Sequence, residues 1–161
     1  MDTFTARAVT LTGGLVLGAG VDEVFRLFSP LGEKLWVPEW DPQLLHPAGS
    51  EWEEGLIFRT REETGDAVWI VSRLDLVSHD VTYHRVEPGR YVARIEVSCR
   101  ALGDRSTEAT VVYSFVGLSE SGNREIAAMT QDAYDAKMSR WTKWITHHLE
   151  AGHERPSGPR G

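Results

Sequence analysis

Residues 91–118 read YVARIEVSCRALGDRSTEATVVYSFVGL, two alternating runs joined by Gly103-Asp104-Arg105-Ser106. In the first run Ala93, Ile95, Val97 and Cys99 share one side, and Arg94, Glu96, Ser98 and Arg100 share the other. In the second, Ala109, Val111, Tyr113 and Phe115 oppose Glu108, Thr110, Val112 and Ser114. Successive side chains point to opposite faces of a strand, so each run is a strand with one apolar and one wet face. The connection is too short for a parallel crossover, which makes the pair antiparallel. Working backwards, the same pattern recurs at 81–86, 67–76 and 56–60, separated by turns at 87–89, 78–80 and 64–66. The whole stretch reads as a meander whose apolar face needs a cover.

Working forwards, the cover follows. From Asn123 to Glu150 there is neither Pro nor Gly, and Ile126, Thr130, Tyr134, Met138, Trp141, Ile145 and Leu149 recur at three- and four-residue spacing. That spacing predicts one long amphipathic helix, stopped by Gly152. At the other end, Thr5 to Leu17 reads as a strand with a bulge or bend at Gly13-Gly14. Val21, Phe25 and Phe28 predict a short helix, and Ser29-Pro30 opens a second turn that Pro38 ends. Strand, two short helices, meander and long helix make an α+β domain over residues 1–150, and 151–161 (AGHERPSGPRG) is expected to be a disordered tail.

The element order, together with Phe28 to Pro42 (FSPLGEKLWVPEWDP), Val68 to Asp75 (VWIVSRLD) and the closing helix with Gly122-Asn123 and Trp141, resembles the SRPBCC superfamily, also called START-like or polyketide cyclase-like. The resemblance implies a helix-grip fold, a curved antiparallel sheet wrapped around a long C-terminal helix with a deep cavity between them. It also implies a range of functions: binding of lipids, hormones or polyketides, cyclisation, or assistance to a chaperone. It assigns no catalytic residue.

Composition narrows the classes. The chain has 161 residues, 17 basic against 24 acidic, and a net charge of −7, which opposes binding to nucleic acid or to an anionic membrane surface. Its one cysteine, Cys99, sits among aliphatic neighbours and reads as a buried small hydrophobe. No run of apolar residues is long enough to span a membrane, and the first residues lack the basic-then-apolar pattern of a secretory signal, so a cytoplasmic location is expected. A homodimer is left open. No cofactor is expected: Gly13 to Gly20 fails the dinucleotide spacing, because Glu23 stands where the third glycine belongs. No metal is expected either, since no two of the six histidines have the helical ligand spacing.

What remains is an excess of tryptophan, six against four tyrosines and five phenylalanines. Trp69, Tyr91, Tyr113, Met138 and Trp141 are assigned to a cavity between sheet and helix that binds a small hydrophobic or aromatic ligand without catalysis. His84 joins them if its side of the strand faces inward. The alternative is a cyclase, aromatase or hydratase, for which His84, Tyr113 and Arg73 are the available acid, base or anchor. A third reading is a protein-interaction module acting through the outer sheet face.

Overall fold

The computed structural model describes residues 3–63 and 65–154, the last two by backbone alone. In chain order the elements are β1 (Ala8–Leu17), α1 (Val21–Arg26), a 3-10 turn (Gly32–Leu35), β2 (Gln43–His46), β3 (Ile57–Glu62), β4 (Gly65–Asp75), β5 (Asp80–Glu87), β6 (Tyr91–Gly103), β7 (Ser106–Gly117), α2 (Glu120–Ala127) and α3 (Gln131–Glu154). All seven strands pair antiparallel in one curved sheet of order β1-β7-β6-β5-β4-β3-β2. The first two strands therefore lie at opposite edges, and α1 with the 3-10 turn carries the chain between them.

Alternation along the strands builds the concave face. Leu11, Leu15, Phe58, Trp69, Val71, Val81, Tyr83, Ala93, Ile95, Val111, Tyr113 and Phe115 are all buried there. The helix α3 packs along β1 through Tyr134, Met138, Ile145 and Leu149, which are buried as its spacing predicts. Tyr134 passes its polar tip to the sheet by donating from its hydroxyl to the Val111 carbonyl at 2.6 Å.

Three expectations are corrected. The closing helix is two helices: α2 ends at the cap residue Ala128, and the Thr130 hydroxyl caps α3 by accepting from the Ala133 amide at 3.2 Å. Helix α3 runs through Gly152 to Glu154, so that glycine does not stop it, and the rest of the expected tail, 155–161, lies outside the described residues. Finally, β1 passes Gly13-Gly14 without a bulge, each glycine keeping its register partner on β7. Gly13 is needed for another reason: a Cβ there would stand 2.7 Å from Met138 Cγ and 2.9 Å from the Tyr134 ring. Glycine lets α3 lie close to the sheet.

A second close approach holds α2. A Cβ on Gly122 would lie 1.7 Å from the Arg90 carbonyl oxygen, and the next residue, buried Asn123, accepts from the Arg7 amide and donates to the Thr5 carbonyl, each at 2.9 Å. Gly122→Ala should therefore cost about 1–3 kcal/mol in urea unfolding, because backbone must move. Gly152→Ala meets nothing within 4 Å and should be neutral or stabilising by up to about 1 kcal/mol through helix propensity.

Candidate functional site

The concave face is wider than α3 can cover. Between them lies a cavity of about 1030 Å³, walled by Trp40, Trp69, Tyr113 and Trp141 and reached past Pro38 to Gln43 on one side and Arg59 to Glu63 on the other. The aromatic walls are locked by their neighbours. Trp69 stacks on Phe58 at 5.3 Å and meets the edge of Trp40 at 5.4 Å. Its indole N–H donates to Thr60 Oγ1 at 3.0 Å, and the Trp40 N–H donates to the Pro30 carbonyl at 2.7 Å. Across the cavity, Trp141 packs against Trp36 at 5.4 Å.

Among the polar side chains that line the cavity are Glu33 from the 3-10 turn, Arg85 from β5, Tyr113 from β7 and Lys137 from α3. Arg85 is in phase with Val81, Tyr83 and Glu87, so strand alternation turns its guanidinium inward, 5.2 Å from the Trp69 ring centre and 5.7 Å from that of Tyr91. Buried Glu87 balances its charge, with Oε2 3.3 Å from Arg85 Nε, but the alignment leaves Nε without a hydrogen bond. Glu87 is in turn paired with Arg90, which reaches Glu125 at 2.6 Å. Lys137 lies on the apolar stripe of α3, three residues after Tyr134 and four before Trp141. Its Nζ sits 4.2 Å above the Tyr113 ring and 5.2 Å from that of Trp141. Among the described residues no carboxylate comes within 4.0 Å of it.

Such surroundings change the acid–base character of these groups. Desolvation pushes Glu33 up to about 8, against the pull of Lys137 and Arg85. Glu33 and Lys137 keep a partial accessible surface, and both line the cavity. Desolvation brings Lys137 down to about 8, helped by Arg85 and Arg140 and opposed by Glu33. Burial raises the Tyr113 hydroxyl well above the usual phenol value, so it is a donor at any ordinary pH. An acid and an amine whose proton affinities meet near 8 can exchange a proton at little cost.

No family model and no curated protein sequence matches this chain. Solved structures do match. Norcoclaurine synthase from Thalictrum flavum, a point mutant in complex with a transition-state analogue, is 14% identical with a TM-score of 0.64, covering 93% of this chain and 99% of its own. Another structure of that enzyme, 12% identical with a TM-score of 0.64 and covering 94% of this chain and 91% of its own, holds dopamine and hydroxybenzaldehyde. The Zhui aromatase/cyclase from Streptomyces sp. R1128 is 16% identical with a TM-score of 0.59, covering 96% and 100%, and Ara h 8.0201 is 12% identical with 0.65, covering 89% and 99%. The chain shares with these structures the helix-grip fold, a curved antiparallel sheet around a long C-terminal helix. At these identities the likeness carries the fold and leaves the chemistry to the cavity's own residues.

Within the helix-grip cavity, Trp69, Tyr113 and Trp141 stand on the wall. Tyr91 lies behind Arg85, with its hydroxyl 3.4 Å from Arg85 Nη2, and Met138 is buried against Gly13. His84, assigned to the cavity only if its side of the strand faced inward, does not belong there: it lies on the outer face with its Nδ1 2.8 Å from Ser72 Oγ, because Tyr83 and Arg85 take the inward phase. Arg73 is also outside, 4.0 Å from Asp75, after a bulge at Ser72 shifts the register of β4. Cys99 is buried as its neighbours imply, and burial pushes its thiol up to about 12. Glu33 and Lys137 were not among the sequence candidates. The signal for Lys137 was its place on the apolar stripe; Glu33, in an irregular turn, had none.

These two desolvated, partly accessible groups should leave opposite marks on stability. Glu33 binds its proton more tightly folded than unfolded, so its penalty is absent below about 4.5 and complete above about 8. Lys137 binds its proton less tightly folded, so its penalty is complete below about 8 and relieved as pH climbs towards 10.5. Glu33→Gln should raise Tm more at about pH 9 than at about pH 5, and Lys137→Met more at about pH 6 than at about pH 10. Scanning calorimetry resolves this, since about 1 kcal/mol shifts a domain of this size by about 2–4 °C.

Proposed function

We propose that the cavity binds a small aromatic or polyketide-like molecule carrying a carbonyl or phenolic oxygen, and that Glu33 transfers a proton at a carbon beside that oxygen. The rings lie against Trp40, Trp69 and Trp141, where apolar burial contributes about 25 cal/mol per Å². The oxygen is held by the Arg85 guanidinium and the Tyr113 hydroxyl. One observation carries the reading: Glu33, Tyr113 and Lys137 converge with Arg85 on one cavity, and among the described residues the side-chain heads of the first three have none of the hydrogen-bond or ion-pair partners that shielded polar groups ordinarily have. A pocket for a purely hydrocarbon ligand gains nothing from them, since each costs desolvation that a leucine would avoid.

The groups suit carbon-acid chemistry. Removing a proton next to a carbonyl places negative charge on the oxygen, where Arg85 and Tyr113 stabilise it in a sheltered site. Glu33, held near 8, is a stronger base than an ordinary carboxylate and retains its proton at neutral pH for return to the product. The solved neighbours support the class, since they include an aromatase/cyclase and a synthase captured with dopamine and hydroxybenzaldehyde. The second reading is a carrier that binds the same molecule without acting on it, supported by the three tryptophans, Trp40, Trp69 and Trp141, on its wall.

Tetralone, a bicyclic aromatic ketone, separates the two. It should quench tryptophan fluorescence saturably, and in heavy water the protein should speed exchange of the protons beside its carbonyl. Trp141→Ala should weaken binding by about tenfold, close to 1.4 kcal/mol. Glu33→Gln should keep the quenching and lose about 100-fold in exchange rate. The wild-type rate should rise with pH and level off above about 8, as Glu33 loses its proton. Saturable binding with exchange at the background rate would leave the carrier reading.

A further inference from the structure

The chain has three lysines, Lys34, Lys137 and Lys143, among its 17 basic residues; arginine supplies the rest. Arg85 already brings a permanent positive charge into the cavity. A second cation would serve equally well as arginine, so the lysine points to what arginine cannot do, which is to lose its proton and attack. Lys34 and Lys143 are exposed. Lys137 alone is in the cavity, with Nζ against the faces of Tyr113 and Trp141 and no ion-pair partner among the described residues.

We propose that Lys137 is a nucleophile that forms an imine with an aldehyde or ketone carbonyl of the bound molecule. This rests on the binding reading above and specifies the carbonyl class of its ligand. The charged and titratable groups around Lys137 are Glu33 from the 3-10 turn, Arg85 from β5, Tyr113 from β7 and Arg140 from its own helix. Burial and the two arginines favour the neutral amine, and Glu33 favours the ammonium form. Desolvation beside another cation is an established way to make a lysine nucleophilic at ordinary pH.

The step balances with the groups present. The Nζ lone pair forms a bond to the carbonyl carbon, the C=O π pair moves to oxygen, and the nitrogen's proton passes to that oxygen to give a carbinolamine. The Glu33 carboxyl then donates its proton to the hydroxyl, the C–O bond breaks, water leaves, and the nitrogen lone pair closes the C=N bond as an iminium. Amine, carbonyl and one proton give iminium and water, with no oxidant or reductant. Glu33 is left as a carboxylate beside a carbon whose protons the iminium has acidified, which is the base the proton transfer needs.

The test uses a naphthaldehyde with sodium cyanoborohydride, whose hydride reduces the C=N bond to a stable secondary amine, read by intact mass and peptide mapping. One adduct is expected, on Lys137, forming at least about tenfold faster near neutral pH than any on Lys34 or Lys143, and gaining rate as pH rises towards about 8. Lys137→Arg should abolish it while keeping a cation in place, Lys137→Met should abolish it independently, and Glu33→Gln should slow it by about 100-fold. Naphthylmethanol, which fits the same cavity but has no carbonyl, should still quench tryptophan fluorescence in all three variants. Labelling spread evenly over the three lysines, or no labelling while naphthylmethanol binds, overturns the imine and leaves the binding reading standing. Failure of naphthylmethanol to bind the wild-type protein overturns both.

Discussion

The Tyr83 hydroxyl donates to the Phe28 carbonyl at 2.7 Å and accepts from the Trp52 indole N–H at 3.0 Å. This buried joint pins the chain between α1 and β2 to the middle of the sheet, and the cavity depends on it. From that segment hang Trp36, whose N–H donates to the Leu27 carbonyl, Trp40, whose N–H donates to the Pro30 carbonyl, and Glu33. If the segment lifted, Trp36 would leave Trp141, Trp40 would leave Trp69, and Glu33 would return to water and an ordinary carboxylate affinity. Burial raises the Tyr83 phenol, so the joint keeps its donor across the working pH range. A Phe at this place would strand a buried carbonyl, which costs more than the bond itself contributes.

A second consequence concerns how the site is tolerated. Two ionisable groups of opposite type, both shielded from bulk water, each favour their neutral forms, so the pair carries mainly the Lys137 ammonium charge below about 8 and mainly the Glu33 carboxylate charge above it. Arg85 is different, being permanently charged, and the structure supplies a counter-charge through buried Glu87. Glu87 is shared with Arg90, and Arg90 with Glu125, so the chain of ion pairs runs from the cavity to the half-exposed start of the C-terminal helices. A buried charge pair with further hydrogen bonds on each member is stable, and a lone one is not. The network keeps the guanidinium inside, with Nε 3.3 Å from Glu87 Oε2 and Nη2 3.4 Å from the Tyr91 hydroxyl. The remaining concave face is aliphatic and aromatic, and its burial carries the stability that these polar groups consume.

Sequence reading reached the sheet and the covering helix because both announce themselves by period. Alternation at 91–102 and 107–118 placed Tyr113 on the inner face, and helical spacing placed Trp141 and Met138. It failed where period was absent or interrupted. The break at 128–130 has no Pro or Gly to mark it; the threonine cap that defines it is visible only with the chain turned. The inward phase of β5 was ambiguous because Val81, Tyr83 and Arg85 compete with Thr82, His84 and Val86, and the tyrosine with its joint to Phe28 decides it. Arg73 was sent outward by a one-residue bulge, an event that shifts every later side chain and leaves no compositional trace. Trp52, in an irregular stretch with no period to place it, donates to that same joint and lies 5.0 Å from Phe25.

Lys137 shows why spacing alone does not reveal the cavity's charges. Charges near an apolar stripe are ordinarily solvated, and a long stem lets lysine reach water from almost any helix position. Here that escape is closed: Tyr113 and Trp141 flank the stem, and the way out from α3 leads into the cavity. Glu33 is trapped in the same way from the other side, by a turn that Trp36 and Trp40 hold down. Each of these placements requires the sheet, the pinned segment and α3 together, so the site is a property of the assembled fold that no single element encodes. It follows that chains of 12–16% identity can share the helix-grip framework, which only alternation and spacing must preserve, while placing different groups in its cavity. Substrate and chemistry are then decided by a few side chains, from several different elements, that the framework brings together after folding.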